Sequence, residues 1–184
     1  LAANSNASSA ILVTHIAASV GAMSWCFIEW TKYGKPSLIG MVTGMVAGLA
    51  TITPASGFVG VPGGLILGLV GGVVCYYAVD LIRNKLRIDD SLDVFAVHGV
   101  GGIIGTILCA FLMSPYFSGV GYDEGVSSID QLVVQLKSVI IVSVWTFIFT
   151  YIILKIISRS IGLRVSYEEE TEGLDISSHG EQEN

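Results

Sequence analysis

The chain has 184 residues, of which 52% are hydrophobic and 13% charged. A soluble domain normally carries about twice that charged share, and the apolar residues gather into long runs instead of amphipathic stripes, so the sequence reads as a polytopic membrane protein. The formal net charge is −6, and all of that excess lies from Arg164 onward, where seven acids face one arginine; such a tail argues against nucleic acid and anionic lipid as its partners.

The chain opens on Leu1-Ala2-Ala3 with neither a methionine nor a signal peptide, so it is expected to be the interior of a longer protein. Residues 1–9 are small and polar, with Asn4 and Asn6 marking a loop or helix start. The first span is predicted over about 10–30, rich in Ala and Ser, which suits tight packing between membrane helices. His15 lies within it and is expected to be structural, hydrogen-bonded across a helix interface. A short basic loop with Lys32 and Lys35 follows, and Ser37 is placed to cap the next helix.

The second span, about 38–53, carries Gly40, Gly44 and Gly48 as an extended G-x-x-x-G-x-x-x-G ridge. Thr53-Pro54-Ala55-Ser56-Gly57 ends it. The third, about 63–81, repeats the device with Gly64, Gly68 and Gly72. Such ridges establish close helix packing and say nothing of function. A second basic loop, Arg83 to Arg87, precedes Asp89 and Asp90.

The fourth span, about 91–113, opens with Asp93-Val94-Phe95-Ala96-Val97-His98-Gly99-Val100-Gly101-Gly102. A histidine inside a span is costly and usually faces a cavity or a partner. Val94 precedes His98 by one α-helical turn, so the two are expected to share a face that lines a narrow apolar passage. Asp93, five residues before His98, is off that face and is expected to cap the helix or offset its dipole. Gly101 and Gly105 form a further close-packing ridge. The bland alternative for His98 is a core histidine bonded to a neighbouring helix.

The fifth span, about 131–157, has Lys137 near its start, able to snorkel, and Trp145 at mid-depth. Residues 161–184 form the acidic tail. Cys26, Cys75 and Cys109 are too few and too scattered for a disulfide framework or metal cluster, and read as small core residues. Apart from Lys137, the Lys and Arg residues fall into three regions separated by alternating crossings, which places those regions in the cytoplasm, the start of the chain outside and the tail inside.

Several motifs resemble the ammonium transporter (Amt/Mep/Rh) family. They are Lys35-Pro36-Ser37, the run Gly48-Leu49-Ala50-Thr51-Ile52-Thr53-Pro54-Ala55-Ser56-Gly57-Phe58-Val59, and Asp93-Val94-Phe95 with His98-Gly99-Val100-Gly101-Gly102. Gly162-Leu163-Arg164-Val165, Glu172-Gly173-Leu174-Asp175 and His179-Gly180-Glu181 resemble the cytoplasmic tail of bacterial Amt proteins. The resemblance implies an all-α polytopic bundle whose five helices correspond to the last five of eleven. It further implies a homotrimer with one pore per subunit, each pore built from two inverted halves, in the inner (plasma) membrane of a prokaryote.

On that resemblance His98 matches the second of the family's paired pore histidines, with Val94 beside it, while His15 matches neither. The first pore histidine, the aromatic gate and the external ammonium site belong to the absent half. Arg164, Glu172, Gly173, Leu174 and Asp175 fall in a regulatory tail that contacts a neighbouring subunit and a trimeric PII-type signalling protein. The implied substrate is ammonium or ammonia, with membrane lipid as surroundings and no cofactor, metal or catalytic residue. The rival function is an ammonium sensor or a PII-interacting regulatory membrane protein. An intramembrane hydrolase would need a nucleophile paired with His98, and no serine, cysteine or aspartate motif supplies one.

Overall fold

A computed structural model describes residues 3–181. Five main helices follow in order: α1 (Ser5–Tyr33), α2 (Leu38–Ile52), α3 (Val61–Val79), α4 (Val100–Leu112) and α5 (Ser128–Ser160). Two short ones, α6 (Tyr167–Glu172) and α7 (Leu174–His179), follow among the described residues. A π-helical segment, Asp80–Lys85, prolongs α3, and another, Val94–Gly99, leads into α4. Among the described residues there is no strand.

Among the described residues, four segments are long and apolar enough to cross a membrane: Ser5–Tyr33, Val61–Lys85, Val94–Leu112 and Ser128–Ser160. The second expected span, α2, has 15 residues, which rise roughly 22 Å, short of the ~30 Å hydrocarbon layer. The chain divides into two units, Leu1–Val139 and Ile140–Asn184, with the boundary inside α5. No residue of α5 is buried.

Helix boundaries follow local chemistry. Asn4 caps α1, accepting from Ala7 N at 3.0 Å, and Ser37 caps α2, its Oγ accepting from Gly40 N at 2.9 Å. Gly34 ends α1 in the left-handed conformation at φ 76°. Pro62 occupies the first turn of α3, where its missing N–H costs nothing. The first pair is also held by Glu29 of α1, which accepts from Ser37 N at 2.6 Å, Ser37 Oγ at 3.2 Å and Trp25 Nε1 at 3.3 Å. A Cβ on Gly40 would collide with that carboxylate.

In the first unit α1 lies against both α2 and α3, which also meet each other and α4. The glycine ridges turn toward α1. The fully buried Ala17 is pinched between them, its backbone carbonyl facing the Cα of Gly48 on one side and of Gly68 on the other. Gly44 faces Trp25, Gly64 faces Val13 and Gly72 faces Ser24 and Gly21. Lipid tails are as apolar as leucine, so helices in a membrane associate through such close van der Waals approach.

A second crossing centres on Thr51, also fully buried, whose Oγ1 donates to Ala47 O at 2.8 Å. Gly71 of α3 and both Gly101 and Gly105 of α4 face it. On one side of this crossing, Val13, Ala17, Ile52, Leu67, Cys109 and Leu112 pack together; on the other, Trp25, Ala47, Cys75, Tyr76 and Val97 do. A methyl group at position 105 would strike the Thr51 carbonyl. Gly105→Ala is therefore expected to destabilise the bundle by about 1–3 kcal/mol, the usual scale of overpacking. Thermal unfolding of the purified protein in detergent checks this, against Gly102→Ala, where a Cβ meets nothing within 4 Å.

Candidate functional site

His98 lies in the π-helical segment Val94–Gly99. Regular α-helix would bond Val100 N–H to the carbonyl four residues back. Here it reaches Phe95 O and Val97 O instead. Such widened turns occur mostly as single interruptions and often at functional sites.

The turn is built from its N-terminal side. Asp93 takes a left-handed backbone conformation, φ 54°, which aspartate tolerates better than most residues. Its side chain makes no capping bond, so the expected role as a side-chain cap is corrected. The Asp93 carboxylate faces Arg83 instead, Oδ1 to Nε at 3.5 Å, and Arg83 Nη2 also donates to Ser91 O at 2.7 Å. The cap is Asp90, whose carboxylate accepts from Val94 N at 2.7 Å, Phe95 N at 2.9 Å and Ala96 N at 3.4 Å. The left-handed residue between them folds the chain back, so that a carboxylate four to six positions upstream reaches three free helix donors.

The imidazole of His98 is exposed in a cleft of about 110 Å³ against α2, lined also by Val42, Thr43, Val46, Leu92 and Val97. It makes no hydrogen bond among the described residues. Four of its five neighbours are aliphatic, and the Thr43 hydroxyl donates to Ile39 O at 2.9 Å. Val94 does not line this cleft and is 54% exposed.

His15 is exposed in a wider groove between α1 and α2, with Thr14, Ala18, Met45 and Leu49. Its ring has no hydrogen bond among the described residues, so the expected bond across the helix interface is absent. A third recess, lined by Trp25, Glu29, Tyr33, Thr43, Tyr76 and Asp93 among others, lies toward the end of the bundle that carries the basic loops. Cys75 and Cys109 are buried and Cys26 is half-buried. No group of three or more potential metal ligands occurs among the described residues.

The tail is organised in its own unit. Ser166 and Glu169 form a capping box on α6. The backbone N–H and hydroxyl of Ser166 hold the Glu169 carboxyl below the usual glutamate range. Arg164 reaches Glu170 Oε1 through Nη2 at 2.7 Å and Nε at 3.0 Å. Glu172 ends α6, Gly173 turns at φ 97°, and Leu174 and Asp175 begin α7.

Sequence reasoning missed Asp90, Glu29, Thr51 and both π segments. Asp90 carries a legible signal, an acid three residues ahead of the assumed cap. The others depend on contacts between helices that spacing does not reveal. Asp90→Ala is expected to lose roughly 1 kcal/mol, the usual cost of a lost helix cap, with faster amide exchange confined to Val94, Phe95 and Ala96. Hydrogen exchange read residue by residue checks this.

The model of the Ammonium Transporter Family matches residues 1–184. The ammonium transporter Amt1 of Archaeoglobus fulgidus is 45% identical over 182 residues, which are 98% of this chain and 46% of that protein. A putative ammonium transporter of Methanothermobacter thermautotrophicus is 43% identical over 185 residues, 98% and 45% of the two chains. Among solved structures, a sensor Amt protein superposes with a TM-score of 0.85 at 30% identity, covering 96% of this chain and 43% of that one. Mep2 of Saccharomyces cerevisiae gives 0.77 at 34% identity, with 90% and 39% covered. The chain thus spans less than half the length of the relatives it matches.

Proposed function

This chain belongs to the Ammonium Transporter Family, and from that premise we propose that it forms part of an ammonium-conducting pore in which His98 is the second of two pore histidines. The working unit is a homotrimer in a prokaryotic inner membrane. The start of this stretch lies outside, and the basic loops and tail lie in the cytoplasm, as the distribution of Lys and Arg supports. Arg164, Glu172, Gly173, Leu174 and Asp175 belong to a tail that serves as the contact for a PII-type protein.

The observation that carries this reading is the imidazole of His98, open to a cleft of mostly aliphatic side chains and unbonded to any described residue. Moving a small cation into such a place disfavours its charged form. Ammonium escapes that penalty by giving up a proton, and the ammonia left behind is both donor and acceptor. A neutral imidazole offers it a hydrogen bond. With two ring nitrogens, an imidazole can also take up a proton at one and release it. Potassium has no proton to release and pays the full desolvation cost.

A sensor role has one specific support, the likeness to a sensor Amt protein, but the same cleft serves either output. Replacement of His98 by leucine in the full-length protein tests the reading. Ammonium-driven current in proteoliposomes is expected to fall about tenfold, the effect of roughly 1.4 kcal/mol of lost stabilisation along the path, with weaker discrimination against potassium. Unchanged current and selectivity in His98→Leu would contradict it.

A further inference from the structure

The π turn that carries His98 is anchored on a second side by α3. Cys75 is fully buried, and its Sγ lies 3.7 Å from Val97 O, within reach of a thiol hydrogen bond, a weak one by nature. Val97 is itself 2% exposed, and its carbonyl belongs to the peptide unit whose nitrogen is that of His98. Within the turn, that carbonyl receives the Val100 N–H, which is shared with Phe95 O. A carbonyl oxygen has two lone pairs, so it can take a second donor beside this shared one. The thiol is a donor within reach of it, with the Thr51 side chain as its other hydrogen-bonding neighbour.

The contact needs the two helices to be close, and Gly101 permits it. A Cβ there would stand 3.3 Å from Cys75 Sγ and 3.0 Å from Thr51 Oγ1, tighter than ordinary packing. Cys75, Thr51 and Gly101 therefore form one seam joining α3, α2 and α4. Asp90 fixes the donors at the start of the turn and Cys75 fixes an acceptor at its far side, immediately before the histidine.

We propose that Cys75 is a positioning residue for His98: its thiol bonds the Val97 carbonyl, holds the widened turn in register and so aims the imidazole into the cleft against α2. The proposal rests on His98 being a pore group. It assigns no reaction to the thiol, which is buried and never meets what passes through the cleft.

The test uses the full-length protein in proteoliposomes, with Cys75→Ala, His98→Leu and the double variant compared over a range of pH. Cys75→Ala is expected to lower the ammonium-driven rate roughly threefold to tenfold and to displace the pH midpoint of transport, because the imidazole changes its surroundings. Added to His98→Leu, it is expected to change neither quantity further. Wild-type rate and pH profile in Cys75→Ala, or an equal proportional loss in both backgrounds, would overturn the proposal. If His98→Leu alone transports normally, the pore reading fails and the positioning role falls with it; if only Cys75→Ala is silent, the pore reading stands and the positioning role fails. Should Cys75→Ala not fold, the S–H stretch of a protein whose other cysteines are replaced decides the matter. A band at the frequency of a bonded thiol is expected, and it is expected to persist in Thr51→Val; a free-thiol band in either protein would overturn the assignment.

Discussion

The first unit depends on Ala17 being held between two glycines. With Gly48 on one side and Gly68 on the other, α2 and α3 approach the backbone of α1 directly. In water such contact would be one small gain beside the hydrophobic effect. In lipid, where that effect does not favour helix over acyl chain, close contact is itself the attraction. Once α2 and α3 are set by α1, Thr51 and Gly71 meet, and the remaining gap admits only glycines from α4, at positions 101 and 105. The wall of the His98 cleft is α2. Its width is thus settled by side chains that are missing a layer away.

A membrane bundle of helices with glycine ridges was legible from composition and spacing, because a glycine every fourth residue has few other uses in an apolar run. Ser37 as a cap and His98 as the residue in need of explanation were legible for similar reasons. Asp93 holds the N-cap position but makes no capping bond with its side chain, since a left-handed residue lets the chain double back and gives Asp90 the three free donors. Val94, expected beside His98, is not among the residues that line the His98 cleft. Glu29 and Cys75 act across the bundle, on Ser37 and Val97. Nothing in the order of residues announces a partner 8 or 22 positions away.

The two polar anchors of the π turn differ in kind. Asp90 offers a charged acceptor at the edge of the span, where water still reaches it. Cys75 offers a weak donor in the dry interior, where a serine or asparagine without a second partner would cost more to bury. The arrangement leaves His98 as the polar side chain in its recess with no bond of its own among the described residues, beside a Thr43 hydroxyl already committed to its own helix. On the proposed account that imbalance selects a species able to shed its charge and accept a hydrogen bond.

The most direct measurement is made on the unaltered full-length protein in sealed proteoliposomes given matched pulses of ammonium and potassium, with current and internal pH followed together. The account predicts that ammonium moves charge or changes the internal pH while potassium does neither. Equal responses to the two cations would contradict it, because a pathway that passes potassium does not require the passing ion to give up a proton.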